Sequence, residues 1–436
     1  MLTTEENDRI CRVGPGTPMG KLMREYWIPA LLSSELPTPD CDPVRVLLLG
    51  ERLLAFRDST GRVGLLAHNC PHRGASLFFG RNEEGGLRCV YHGWKFATSG
   101  ACVDMPNEPA ESDFRTKVRA VAYPCQERGG VVWAYMGLRE TPPPLPSIES
   151  NMLPEGEYSV TAMQRECNWL QAGEGDIDTS HFGFLHRGSV DPEELKGTLL
   201  YWALKDRAPK YRVVDTAYGT MYGAYRDAEP GSQYWRIALY MFPMYFVPPG
   251  GTTVQARVPM DDEHTLTFMM SRRRGSGPPL GMRPEQLNDP DYARWKTGVL
   301  PNTTDWLGRF RAGSNLANDF EIDREQQRRN RGNNGYTGIV GNMQDQAITE
   351  CMGPIQDRTT ERLGTSDLMI IRTRRRILNV IDAHEKGVTP PGVDDPDVFA
   401  VRSAQLLLPT GADWIEATQE YRKAFGPLLR SEMARS

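Results

Sequence analysis

The chain has 436 residues, of which 39% are hydrophobic and 25% are charged, as expected for a globular enzyme with two or three domains. Its formal net charge of −5 argues against nucleic acid or an anionic membrane as the main partner. The longest nearly unbroken apolar run, residues 237–247, is too short to cross a bilayer, and the polar start MLTTEENDR lacks a signal peptide's apolar core, so we expect a cytoplasmic protein.

Four segments follow one another along the chain. Residues 1–40 form a mixed N-terminal segment, and residues 41–140 then alternate short apolar runs with turn residues, which predicts a small antiparallel β domain. The proline-rich residues 141–150 predict an extended linker and a domain boundary, and residues 151–436 form a larger second domain. The predicted strands of the first domain are residues 46–49, 53–56, 63–66, 88–91, 94–96 and 131–135.

Two short loops of the first domain each offer one cysteine and one histidine. Cys70 and His72 lie in the first loop, and Cys89 and His92 follow after sixteen intervening residues. Two thiolates and two imidazoles could hold one tetrahedral zinc ion, or a [2Fe–2S] cluster with the thiolates on one iron and the imidazoles on the other. Zinc fingers usually place two cysteines in one loop and two histidines in the other, so these mixed loops favour the cluster.

The two loops resemble a known motif. Cys-Pro-His-Arg-Gly at residues 70–74 and Cys-Val-Tyr-His-Gly-Trp at residues 89–94 are similar to the Rieske [2Fe–2S] motif. The other six of the eight cysteines lack such spacing and are expected to be ordinary free thiols.

The second domain contains Asp178, His181 and His186 within nine residues. Two histidines suit a non-haem Fe(II) site that one carboxylate completes. A continuous helix would place the two imidazoles about 140° apart, at roughly 100° per residue. Both can bind one metal only if the helix ends or bends between them, which Gly183 permits.

A Rieske motif followed by Asp-x-x-His-x₄-His resembles the oxygenase α subunit of the Rieske non-haem iron ring-hydroxylating oxygenases. Later segments are similar to the phthalate dioxygenase type of that family. The resemblance implies an α+β fold, with a small antiparallel β Rieske domain plus a larger catalytic domain that has a curved antiparallel sheet around a long helix. The later segments that are similar to the phthalate dioxygenase type are residues 322–325, 344–350, 353–358, 363–367 and 374–378.

The resemblance also implies which carboxylate completes the iron site. Family members place this ligand at the Asp of a Gln-Asp or Glu-Asp pair that heads an apolar helix. Asp345 fits that description, and Asp319 and Asp357 are the competing candidates.

Asp178 lies three residues before His181, and we expect it to hold that histidine rather than to bind the metal. In the family the matching Asp links the mononuclear site to the Rieske histidine of a neighbouring subunit. The resemblance therefore implies a head-to-tail homotrimer, alone or stacked into a hexamer, without a β subunit.

These two sites imply O₂ activation, with electrons supplied singly by the cluster. Because no flavin or nicotinamide motif is visible, a separate NAD(P)H-dependent reductase must reduce the cluster. The motifs do not choose between dihydroxylation of an aromatic ring and the hydroxylation or dealkylation of a Rieske monooxygenase or O-demethylase. The non-enzyme alternative is a Rieske electron carrier, against which His181, His186 and the long second domain count.

Arg207 is the predicted substrate-binding residue, because a guanidinium matches a carboxylate with two parallel hydrogen bonds. Its position suits a pocket strand and resembles the carboxylate anchor of phthalate-type enzymes; otherwise it is a surface arginine paired with Asp206. Residues 240–246, where a second cation would be expected, are uncharged, and Arg236 just before them lies on an unknown side. The prediction is therefore an aromatic acid with one anchored carboxylate, such as isophthalate or a substituted or phenoxy-benzoate.

One charged run carries a structural prediction instead. Residues 372–376 contain four arginines, which we expect to form the solvated face of a helix. Ile370, Ile371, Ile377, Leu378 and Ile381 are expected to supply its buried side.

Overall fold

The computed structural model describes residues 1–109, 111–189, 192–273, 298–332, 335–339 and 341–426. The helices are α1 Thr4–Cys11, α2 Pro18–Arg24, α3 Trp169–Glu174, α4 Leu199–Lys205, α5 Arg324–Arg329, α6 Gly341–Cys351, α7 Leu368–His384 and α8 Trp414–Ala417. In the described part of the chain, no helix combines the length and the apolar character that spanning a membrane requires.

The strands of the first half are β1 Trp27–Leu32, β2 Val44–Leu48, β3 Glu51–Arg57, β4 Val63–Ala67, β5 Arg81–Glu83, β6 Gly86–Arg88, β7 Lys95–Phe96, β8 Cys102–Asp104, β9 Ala122–Tyr123, β10 Cys125–Arg128 and β11 Val131–Tyr135. The later strands are β12 Tyr158–Arg165, β13 Lys210–Asp215, β14 Gly219–Asp227, β15 Ser232–Met241, β16 Tyr245–Val247, β17 Val254–Pro259, β18 Thr265–Arg272 and β19 Ala404–Pro409.

Three small antiparallel sheets build the first domain, in the orders β2-β3-β4-β9, β5-β6-β7-β8 and β1-β11-β10. Leu49 and Gly50 join β2 to β3 with φ angles of 48° and 77°, as the tight turns of two-residue hairpin loops require. The predicted strand at residues 88–91 is wrong, because β6 ends at Arg88 and the chain then leaves the sheet as a loop.

The second domain contains a larger antiparallel sheet of eight strands, in the order β12-β18-β17-β16-β15-β14-β13, with β19 beside β15. The long helix α7 packs against β13 and β14, where the hydroxyl groups of Thr220 and Thr373 lie 2.8 Å apart. The predicted α+β fold, a small antiparallel β domain plus a larger sheet with a long helix, is confirmed.

The proline-rich stretch packs against both neighbouring domains. The carbonyl of Pro143 accepts a hydrogen bond from Trp27 Nε1 at 2.6 Å, and the carbonyl of Pro146 accepts one from Asn151 Nδ2 at 3.0 Å. Pro143 and Pro146 are buried. Tertiary packing therefore holds this stretch in place, and its last two residues, Glu149 and Ser150, belong to a 3₁₀ turn.

The N-terminal segment contacts both domains. Arg9 in α1 forms an ion pair at 2.8 Å with Asp382, in the last turn of α7, and one at 2.6 Å with Glu385, just after that helix ends. The strand β1 then pairs with β11 in the first domain. The chain therefore begins on the second domain, enters the first and returns.

Candidate metal centres

The two cysteine–histidine loops close with the same pair of backbone hydrogen bonds. The N–H of Cys70 donates to the carbonyl of Ala75 at 2.8 Å, and the N–H of Gly74 donates to the carbonyl of Cys70 at 2.9 Å. In the second loop the N–H of Cys89 donates to the carbonyl of Trp94 at 2.8 Å, and the N–H of Gly93 donates to the carbonyl of Cys89 at 3.0 Å. The glycines before the last residues have φ angles of 76° and 79°, which other residues rarely adopt.

Within these loops the thiols lie inside and the imidazoles lie near the surface. Cys70 and Cys89 are each 2% exposed, whereas His72 and His92 are half-buried. The two imidazole centroids are 4.5 Å apart, and the Trp94 ring stacks on His72 at 4.3 Å. The Nδ1 atom of His92 is buried without a hydrogen-bond partner among the described residues.

The spacing of the four side chains fits a binuclear cluster better than a zinc ion. The ligands of one zinc ion lie within about 4.6 Å of one another, twice the Zn–S distance. In the described ranges, the only three potential ligand atoms within 4.8 Å of one another belong to His181, His186 and Asp345, so the loop residues do not converge on one ion. Burial raises the pKa of Cys70 to about 11, so its thiolate needs a metal beside it.

In the second domain, short turns replace a continuous helix between the two histidines. The helix α3 ends at Glu174, and His181 begins a separate single turn of 3₁₀-helix that ends at Gly183. The imidazole centroids of His181 and His186 are 5.1 Å apart. A Cβ atom on Gly183 would lie 2.7 Å from Cγ of Arg207, so this close approach requires a glycine.

Asp345, on α6, meets both histidines from a distant part of the chain. Its Oδ1 lies 3.0 Å from Nε2 of His186 and 3.5 Å from Nε2 of His181. The competing carboxylates, Asp319 and Asp357, do not belong to this cluster. The structure therefore brings together the three residues that were predicted to bind the iron.

The environment of Asp345 keeps it ionised. Burial alone would raise its pKa, but the hydrogen bond and charge of His186, then the charges of His181 and Arg165, outweigh burial. The pKa of Asp345 consequently falls to about 2. An anion between two imidazoles matches what a divalent metal site needs.

A polar side chain faces Nδ1 of each of the two histidines. Nδ1 of His186 lies 2.9 Å from Oε1 of Gln344, whose Nε2 donates to the carbonyl of Ile339 at 3.0 Å. Oδ2 of Asp178 lies 3.6 Å from Nδ1 of His181. These contacts place a proton on Nδ1 of both rings, so Nε2, the nitrogen that faces Asp345, is the one that would bind a metal. The sequence prediction included Asp178 but missed Gln344, whose signal was its place next to Asp345.

Arg207 does not lie on a strand. The run Leu-Leu-Tyr-Trp-Ala-Leu-Lys before it forms α4, because these residues favour a helix and bury Ala203 and Leu204 on one side. Arg207 follows this helix, half-buried, with its stem against Gly183. In the described part of the chain it forms no ion pair with Asp206, whose Oδ1 accepts from the N–H of Ala208.

Comparison with known families identifies both halves of the molecule. The family model for the Rieske [2Fe–2S] domain matches residues 26–124, and the model described as LigXa C-terminal domain like matches residues 134–430. The chain belongs to the Rieske non-haem iron oxygenases. A Rieske oxygenase carries a [2Fe–2S] cluster and a mononuclear iron, and the residues described above fit both groups.

This Rieske oxygenase is similar along its whole length to curated relatives. It is 47% identical to the 3-chlorobenzoate-3,4-dioxygenase oxygenase subunit of Comamonas testosteroni, covering 96% of this chain and 98% of that protein. It is 36% identical to the phthalate 4,5-dioxygenase oxygenase subunit of Pseudomonas putida, covering 97% and 96%. The crystal structure of dicamba monooxygenase bound to dicamba shares its fold, with a TM-score of 0.53, 16% identity and coverage of 84% and 100%.

These matches confirm the predicted oxygenase α subunit and its iron cofactors. The matches also show that this chain is an enzyme, the terminal oxygenase of an aromatic-oxygenase system, rather than an electron carrier.

Proposed function

We propose that this Rieske oxygenase dihydroxylates an aromatic carboxylate with O₂, using electrons from a separate NAD(P)H-dependent reductase. The observation that carries the proposal is the convergence of His181, His186 and Asp345, whose ligand atoms lie within 4.8 Å of one another. Two imidazoles and one carboxylate would hold Fe(II) and leave positions open for O₂.

The two loops of the first domain would hold the cluster, with Cys70 and Cys89 on one iron and His72 and His92 on the other. The buried thiols lie inside, and the half-buried imidazoles lie toward the surface. Such a cluster supplies electrons one at a time, which O₂ chemistry at a ferrous ion requires.

The substrate class rests on two kinds of support. The named substrates of the two relatives are 3-chlorobenzoate and phthalate, both aromatic acids. The second domain also carries arginines near the candidate iron site, among them Arg207 against Gly183. We infer an aromatic acid such as isophthalate or a substituted or phenoxy-benzoate, with Arg207 as one candidate for its carboxylate.

Replacing His181 tests the assignment of two separate metal centres. We expect His181→Ala to abolish turnover and to lose the mononuclear iron, because one of three ligands is gone, while the brown cluster remains. Iron per chain, the visible spectrum and product formation with a surrogate reductase measure the three effects. Loss of the brown chromophore together with activity would contradict the assignment.

His264→Ala is the matched control for this experiment. His264 is another half-buried histidine that pairs with a nearby carboxylate, Asp261 at 2.9 Å, but it lies outside both candidate centres. This variant should keep both metals and full turnover. The masses of the products from a panel of aromatic acids then separate a cis-dihydrodiol from a hydroxylated or demethylated product.

A further inference from the structure

Two arginines lie side by side on the large sheet, on adjacent strands. Arg226 is on β14 and Arg236 is on β15, and the strand register pairs Arg226 with Tyr234 and Ala224 with Arg236. Directly paired residues share a face of an antiparallel sheet, so both arginines lie on one face, a diagonal step of about 7–8 Å apart. The sequence left the side of Arg236 open and gave no prediction for Arg226.

The two guanidinium groups are buried, and the described residues provide no anion for them. Arg226 and Arg236 are 2% and 6% exposed. Nε of Arg226 donates to the carbonyl of Asp206 at 2.6 Å, but its Nη1 and Nη2 have no partner among the described residues, and neither do Nε and Nη1 of Arg236. Burial, followed by repulsion from Arg236, lowers the pKa of Arg226. An unpaired buried charge is strongly unfavourable, so this pair needs an anion.

The pair lies beside the candidate iron site. The guanidinium carbon of Arg236 lies 4.5 Å from the centroid of the Phe182 ring, and that ring lies 5.8 Å from the ring of His186. One aromatic ring therefore separates the cation from a predicted iron ligand. The buried hydroxyls of Tyr222 and Thr179 also have no hydrogen-bond partner in the described ranges.

We propose that Arg226 and Arg236 together bind the carboxylate of the aromatic substrate. This inference rests on the proposed function and assigns its substrate anchor to the sheet. The two Nη atoms of Arg226 form an end-on fork that matches two carboxylate oxygens, and Arg236 adds further donors and a second charge. A buried anchor acts in a lower dielectric than the half-buried Arg207, so it contributes more to affinity.

The anchor can be tested by binding alone, without the reductase. Calorimetry would measure the Kd of benzoate and of methyl benzoate for the intact holoenzyme and for Arg226→Met, Arg236→Met and Arg207→Met, since Met keeps much of the length and apolar bulk. We expect each strand variant to weaken benzoate binding by about 30-fold or more, the loss typical of removing a buried charged partner. The loss should be larger in each strand variant than in Arg207→Met, and binding of the uncharged ester should not weaken in any variant.

A second measurement separates an anchor from a structural role. Without ligand, Arg226→Met and Arg236→Met should unfold at the same temperature as the parent or higher, because each removes an unpaired buried charge. Arg226→Lys and Arg236→Lys keep the charge without the fork and should show an intermediate loss of benzoate affinity. Lower unfolding temperatures with unchanged benzoate affinity would show that the protein itself neutralises the pair, and would overturn the proposal.

The two proposals fail in different ways. If the parent hydroxylates aromatic acids but both strand variants keep its benzoate affinity, the anchor is overturned and the proposed function stands. The same holds if only Arg207→Met loses benzoate affinity. Benzoate binding that depends on the pair, in an enzyme that hydroxylates no aromatic acid, would support the anion site and refute the proposed function.

Discussion

A single amide decides which nitrogen of His186 faces Asp345. Oε1 of Gln344 can only accept, and it lies 2.9 Å from Nδ1 of His186. Nδ1 must then carry a proton, so Nε2, which lies 3.0 Å from Oδ1 of Asp345, is the nitrogen that would bind a metal. Gln344 is thus a positioning residue for the candidate iron site.

Replacing this amide should weaken metal binding without touching the cluster. We expect Gln344→Leu to lower the affinity for the mononuclear iron by about 10- to 100-fold, because the imidazole loses its fixed tautomer and orientation. Iron titration of metal-depleted mononuclear sites, with the cluster spectrum as internal reference, measures the change. Gln346→Leu is the control, because Gln346 is also buried on α6 but bonds to Glu350. Equal iron affinity in both variants would refute this role.

At the residue scale, the sequence predicts ligands better than it predicts their supports. The cysteines and histidines have fixed local spacings, so sequence alone made them candidates, and family resemblance made Asp345 one. Arg226 and Arg236 gave no such signal, because their partners depend on strand register and on a loop near His181. The strand predicted at Arg207 is wrong because the residues before it, Leu199–Lys205, favour a helix.

Helix α7 shows how tertiary packing overrides a local pattern. The prediction that residues 372–376 form a solvated face is wrong for Arg374, which is 3% exposed, and the predicted burial of Ile371 is wrong because that side chain is 42% exposed. Arg374 forms ion pairs with Glu361 and with Glu174, the latter at 2.5 Å, and Arg358 pairs with Glu174 at 3.0 Å. Charge runs predict solvent exposure only on average, and acidic residues from other elements can draw one member inside.

This ion network should stabilise the fold and depend on pH. Burial would raise the pKa of Glu174, but the charges of Arg358 and Arg374 outweigh it and lower the pKa from 4.5 to about 2. Because the folded state holds this carboxyl ionised, its contribution is fully present well above pH 4.5 and is lost as the pH falls toward 2. Glu174→Gln should therefore cost about 3–5 kcal/mol at pH 7, the usual effect of breaking a buried pair.

Urea unfolding at pH 7 and at pH 4 measures this effect. The difference between the parent and Glu174→Gln should shrink at the lower pH, because part of the parent's advantage is lost there. Glu325→Gln removes an exposed pair with Arg329 and should change the free energy of unfolding by less than about 0.5 kcal/mol. A difference that grows at pH 4 would contradict the assigned pKa.

At the scale of the whole molecule, the open question is how electrons pass from the cluster to the mononuclear iron. We expect a head-to-tail homotrimer, alone or stacked into a hexamer, in which Asp178 connects His181 to a Rieske histidine of the neighbouring subunit. The position of Asp178, with Oδ2 3.6 Å from Nδ1 of His181, is consistent with this role.

Asp178→Asn should keep both metals and the oligomer but slow electron transfer between them, since the amide cannot carry the negative charge that the family's link uses. Single turnover of enzyme with a chemically reduced cluster measures that rate. Asp261→Asn, which alters the distant pair with His264, should leave the rate unchanged. Sedimentation of the active parent gives the oligomeric state, and an active monomer would refute the arrangement.

The N-terminal segment and the proline-rich stretch cross between the two domains on separate paths, and further bonds join the domain surfaces. The N–H groups of Leu49 and Gly50 donate to the carbonyls of Pro259 and Met260 at 3.0 and 2.8 Å, and Glu35 binds Arg309 with two contacts of 2.7 Å. Because two chain crossings and these bonds join the domains in the described part of the chain, we expect no free hinge between them. We expect distances between spin labels on the two domains to form one narrow distribution in every redox state, with electron delivery governed by fixed geometry.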